Sequence, residues 1–150
     1  FCEMNVAKFL SEGADEVSDL EERVTTLTGR GYNVMVTSHF RYFRLSEYFT
    51  RHDKRKTGFI ISVDNIRSIF DDKYYDGMEG GTLEAMGKLF TSDSKLLVYP
   101  NLTPDGVRID TDNAEVPENQ IHLYQHLRSN GRILPVVPDP DALVPFEPRL

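Results

Sequence analysis

The sequence predicts an α/β fold, a Rossmann-like three-layer sandwich built on a short, mostly parallel sheet. Three strand-length runs, YNVMVT, GFIISV and KLLVY, are apolar throughout rather than alternating, and helical patterns separate them. Such runs imply burial on both faces, and helical connections join parallel strands in a right-handed sense. The composition agrees: 150 residues, 39% apolar and 27% charged, are enough to close one ordinary globular core.

Val17, Leu20, Val24 and Leu27 recur at spacings of three and four, and Ser18-Asp19-Leu20-Glu21 has the form of a capping box, so the pattern predicts a helix over 17–28 that ends at Gly29 and Gly31. Tyr32 to Thr37 reads as the first strand. Phe40, Tyr42, Phe43, Tyr48 and Phe49 mark a helix across 40–52, and these five aromatics in ten residues exceed what one buried face needs. Thr57 to Val63 is the second strand, and Asp64 is a natural N-cap for a helix carrying Ile66, Ile69 and Phe70. Gly80-Gly81 precede a helix with Leu83, Met86, Leu89 and Phe90; Lys95 to Tyr99 is the third strand, stopped by Pro100. Pro104-Asp105-Gly106 signals a turn, a helix runs from about Glu118 to Asn130 and closes at Gly131, and Ile133 to Val137 adds an edge strand despite Pro135. Residues 1–137 thus read as a single α/β domain. Four prolines among residues 138–150 mark an extended tail, and a first residue of Phe rather than Met leads to the expectation of a longer or trimmed chain.

The net charge of −7 argues against nucleic acid or an anionic membrane as partner of the whole surface. No apolar run approaches the roughly 20 residues of a membrane span, and Glu3 and Lys8 interrupt the opening residues. Cys2, the only cysteine, has no internal disulfide partner, and the reading is a reducing, cytoplasmic compartment. Residues 39–56 nevertheless hold six bases and two acids. A basic segment of this kind is either a solvated helix end or an anion site.

In open parallel sheets, ligands gather beyond the carboxyl ends of the strands. The first strand end presents Ser38 and His39, followed by Arg41 and Arg44; the second presents Ser62, Asp64 and Asn65; the third presents Tyr99, Pro100 and Asn101. Arg41 and Arg44 lie one helical turn apart, a spacing that closes two guanidinium groups on one carboxylate or phosphate, although Glu47 competes for Arg44. His39 is the candidate for proton transfer, with an exposed His beside an N-cap serine as the plain alternative. Asp64 and Asn65 either orient ligand hydroxyls or serve as a helix cap. Gly80, Gly81 and Thr82 offer backbone amides and a hydroxyl to an anion, or else form a chain reversal.

Neither GxGxxG nor GxxxxGK[ST] is present, so the dinucleotide and Walker fingerprints both fail and the sequence points to no particular cofactor. His122 and His126 have i,i+4 metal spacing without the following Glu or a third ligand, and no metal site is expected. The stretches YNVMVTSHFRYFRLSEYFTRH, GFIISVDNIRSIFDDKYYDGMEGGTLEAMGKLF, and KLLVYPN with HLYQHLRSNGRI, within residues 32–133, resemble segments of larger, mainly bacterial uncharacterised proteins labelled nicotinate- or nicotinamide-nucleotide adenylyltransferase. The resemblance implies an α/β domain of a longer chain and a nucleotide-related ligand. The G-x-x-x-P loop and H-x-x-H that such enzymes carry near the first strand are not found around the first predicted strand of this sequence.

The expected function is binding of a small anionic metabolite, phosphorylated or nucleotide-like, at the strand ends, with transferase or hydrolase chemistry if it is an enzyme. The alternative is a noncatalytic interaction or scaffold domain that meets a neighbouring domain, or a second copy, through the aromatic helix 40–52.

Overall fold

The computed structural model describes residues 1–6, 14–39 and 41–139. Phe40 and residues 140–150, most of the expected tail, lie outside the described residues. The chain is mixed α/β with small, mostly parallel sheets. It divides into two compact units, Phe1–Leu45 and Ser46–Leu150.

The first unit contains β1 (Cys2–Asn5), α1 (Ala14–Gly29) and β2 (Val34–Thr37). β1 and β2 pair in parallel, with Met4 opposite Val36 and Asn5 opposite Thr37. The sequence reading contained no β1, because CEMN is too short and too polar to stand out before its partner is known. α1 begins earlier than the capping box suggested, so Ser18 lies inside the helix rather than at its start. Its end follows the glycine rule closely. Gly31 takes a left-handed φ of +85°, the Gly31 amide donates to the Thr28 carbonyl (2.9 Å), and the Tyr32 amide donates to the Leu27 carbonyl (3.1 Å). These are the paired bonds of a Schellman motif.

α2 (Tyr42–His52) contains the boundary between the units. The second unit continues with β3 (Gly58–Ser62), α3 (Asn65–Ile69), α4 (Gly81–Leu89), β4 (Lys95–Tyr99), a hairpin of β5 (Asn101–Leu102) and β6 (Arg108–Ile109), α5 (Ile121–Ser129) and β7 (Ile133–Pro135). β3, β4 and β7 form a parallel sheet in that order. GFIISV and KLLVY therefore run side by side as expected, whereas YNVMVT pairs with β1 in a separate sheet. The predicted turn closes the β5–β6 hairpin: the Gly106 amide donates to the Thr103 carbonyl (2.8 Å), with Gly106 at φ +80°. α5 ends as α1 does, with Gly131 at φ +67° and bonds from Gly131 to Arg128 (3.0 Å) and from Arg132 to Leu127 (2.9 Å).

The order β3-β4-β7 decides which sheet face is covered. Each new strand is added on the same side of the last, so two right-handed crossovers, the first through α3 and α4 and the second through α5, fall on one face. Burial follows this rule. Phe59, Ile61, Leu96, Val98 and Ile133 are buried on that face, together with Ile66, Phe70, Ala85, Leu89, Tyr124 and Leu127 from the helical side. Phe70 and Tyr124 meet edge to face, ring centroids 5.4 Å apart, and the Tyr124 hydroxyl donates to the Thr111 carbonyl at 2.8 Å.

The opposite face is different. Ile60, Leu97 and Leu134 stand opposite one another across the three strands. Ile60 is 72% exposed, and Leu97 and Leu134 are only partly buried. The expectation of burial on both faces, drawn from the continuous apolar runs, is thus corrected for this sheet among the described residues. The runs are apolar on a face that these helices do not reach.

Candidate functional site

At the carboxyl ends of β3 and β4, three side chains converge. Parallel registration sets Ser62 beside Tyr99, and the Val63 amide continues the ladder to the Tyr99 carbonyl at 2.9 Å. Pro100 then stops β4 and leaves Asn101 at its end. The Asn101 amide donates to Ser62 Oγ (3.0 Å) and to the Asp64 carboxylate, and Ser62 Oγ donates to the same carboxylate oxygen (3.1 Å).

The carboxylate of Asp64 is not a cap: α3 begins without a side-chain capping bond. The N-cap expectation for Asp64 is thereby corrected. Asp64 has helical angles, φ −64° and ψ −22°, whereas a capping residue takes extended ones. Its side chain turns toward Ser62 and Asn101 instead. Asn65 opens α3 beside this group, with its carbonyl accepting from Ser68 Oγ at 3.1 Å. Arg67 is paired with Glu115.

A second polar group is centred on Asp72, in the short 3-10 turn after α3. Its carboxylate accepts from Thr82 Oγ1, from Gln120 Nε2 (2.6 Å) and from Asn119 Nδ2. Three segments far apart in sequence are joined there. The donors offered by Gly80, Gly81 and Thr82 are thus engaged within the protein: Thr82 is buried on Asp72, the Gly80 amide donates to the Glu84 carboxylate (2.9 Å), and the Gly81 amide to the Met78 carbonyl (3.0 Å). Both glycines have structural causes. A Cβ on Gly80 would lie 2.7 Å from Glu84 Cβ, and Gly81 has φ +53°. The Gly80 amide and Lys88 hold the Glu84 carboxyl below its ordinary pKa.

Ser38, His39, Arg41 and Arg44 belong to the first unit and follow β2, whereas Asp64, Asn65 and Gly80 to Thr82 belong to the second. Ser38 and Arg44 are exposed. The His39 carbonyl accepts from Asn5 Nδ2 at 2.6 Å, and Thr37 Oγ1 donates to Glu3. Burial, followed by the nearby Glu3 charge, raises the Tyr42 pKa. A carboxylate therefore stands at this strand end as well as the bases.

The Asn101 and Asp72 associations were beyond sequence reasoning. Asn101 appeared only as a strand-end residue, and the partners of Asp72 are 10 to 48 positions away. No group of three or more His, Cys, Asp or Glu that could hold a metal occurs among the described residues. Two surface hollows, of about 410 and 350 Å³, lie along α4 and α5 and between α5 and β7. Neither is lined by a predicted site residue. No helix among the described residues is long and apolar enough to cross a membrane. Compared with protein-family models, with curated proteins and with solved structures, the chain matches none.

Proposed function

We infer that the chain is a noncatalytic interaction domain whose open sheet face is covered by a partner protein. The observation that carries this reading is the row Ile60, Leu97 and Leu134, aligned across β3, β4 and β7 on the face that the crossover helices leave uncovered. Water contact with aligned large aliphatics is unfavourable by about 25 cal/mol per Å², so covering that row stabilises an assembly. A partner helix or sheet laid there would supply the third layer of the expected Rossmann-like sandwich. The lone Cys2 suits a cytoplasmic setting.

Placing a charge in the row tests the reading. An apolar fluorescent dye bound to the native chain is expected to lose most of its enhancement with Ile60→Lys, at unchanged Tm. Dye binding unaffected by the substitution sinks the proposal.

A second reading keeps a small ligand at the strand ends and is favoured by the convergence of Ser62, Asp64 and Asn101. Their hydroxyl, carboxylate and amide suit a ligand rich in hydroxyl groups more than a bare anion, because Asp64 repels negative charge. A thermal-shift screen with nucleotides and phosphosugars separates the readings. A shift that disappears in Asn101→Ala supports the ligand site, and no shift supports the interaction domain.

A further inference from the structure

We propose that the chain forms a two-fold symmetric dimer in which the groove between α4 and α5 packs antiparallel against the same groove of a second copy. This surface lies on the helical side of the second unit, so the proposal stands apart from the sheet-face reading.

The groove, about 410 Å³, is made by two matching stripes. Leu83, Met86, Gly87 and Phe90 line it from α4 at i, i+3, i+4 and i+7, and Leu123, His126, Leu127 and Asn130 line it from α5 at the same spacing. Both stripes extend about 10 Å, two helical turns. That shape suits the ridges of another helical layer. Leu83 is 69% exposed at one end.

Gly87 is the second observation. It sits inside α4, where glycine weakens a helix relative to alanine. Nothing lies within 4 Å of the position its Cβ would occupy, so packing within the described residues does not require it. It is exposed and close to the middle of its stripe. A missing Cβ there lets a second helix cross closely, and under two-fold symmetry that helix is the α4 of the other copy.

Charge selects a second copy over other occupants. The polar side chains lining the groove are His126, Asn130 and Arg132, with no carboxylate among them. They gather where both helices end. Arg132 also bonds Asp93 (3.2 Å), and the Asn130 amide bonds the His126 carbonyl (2.7 Å). The helix starts carry exposed acids: Glu79 precedes α4, and Glu118 precedes α5. Antiparallel packing brings the acidic end of each copy to the basic end of the other. The contact is small beside the roughly 800 Å² per partner of a standard interface, so the dimer is weak.

Sedimentation equilibrium of the full chain up to millimolar concentration is expected to show a monomer–dimer equilibrium that weakens with added salt. Leu83→Arg, at unchanged Tm, and Gly87→Gln, at a Tm no lower than that of the native chain, should each lower the association constant about tenfold or more, whereas Ile60→Lys should leave it alone. An equimolar mixture of Glu118→Arg and Arg132→Glu chains should associate more tightly than either variant by itself. Monomer at every concentration, or association indifferent to Leu83→Arg and Gly87→Gln, overturns the dimer. Association lost only with Ile60→Lys assigns it to the sheet face and also overturns the proposal. A mixture no tighter than its components overturns the antiparallel arrangement.

Discussion

Asp72 shows how one side chain can hold several segments. It accepts bonds from Thr82, Asn119 and Gln120, and Thr82 is buried. Asp72→Ala should lower unfolding free energy by about 2 to 3 kcal/mol and Thr82→Val by about 1 kcal/mol, read from urea denaturation. Equal, negligible losses would show that the segments are held elsewhere. Titration acts at the same scale. Asp93 has its carboxyl held below the ordinary range, chiefly by Lys56 and also by Lys95 and Arg132; Glu84 is held low by the Gly80 amide and Lys88. A carboxyl lowered in the folded state contributes stability above its unfolded pKa, roughly 4, and loses it as pH falls through the lower folded value. Tm should therefore drop on acidification below about pH 4, and Asp93→Asn should flatten that drop. Tyr124 has the opposite sign. Burial raises its pKa, so its contribution is full below about pH 10 and disappears at higher pH; Tyr124→Phe should soften the alkaline fall in Tm.

The helices and strands differ in how openly the sequence announces them. α1 and α5 end in the same Schellman motif because TGRGY and RSNGR each put glycine where φ is positive. Gly131→Ala should cost about 1 kcal/mol or more, since alanine resists the left-handed region. Gly87→Ala should instead stabilise by about 0.5 to 1 kcal/mol, because the φ is helical and the space is open. Paired urea titrations distinguish the two, and like signs would refute this account of both glycines. Local chemistry carries such endings. It does not carry β1, whose four residues become a strand only by pairing with β2, nor the cap at α3, where Asp64 prefers Ser62 and Asn101 across the strand ends.

For the whole molecule, the decisive feature is the sheet order β3-β4-β7. Phe70 is fully buried beneath the crossover helices, and Phe70→Ala should cost about 3 to 5 kcal/mol in calorimetry or denaturant titration. Ile60→Lys, at the position next to the buried Phe59 but on the open side's row, should change stability little. A large loss for Ile60→Lys would mean that the open face is covered after all. The same topology bears on the expected ligand crevice. Such a crevice forms where successive crossovers go to opposite faces, and this sheet has no reversal of order at which that happens.

The sequence by itself determined the parallel neighbours GFIISV and KLLVY, the positions of α2, α4 and α5, and the glycine-closed helix ends, because periodicity, backbone freedom and proline act within a few residues. The tertiary structure alone decided that YNVMVT pairs with Cys2–Asn5, that Gly80 to Thr82 turn their donors inward, and that Ile60, Leu97 and Leu134 share a face that the crossover helices leave uncovered. Strand order and side-chain partners depend on contacts between distant segments, and an apolar run reads the same whether one of its faces or both are covered.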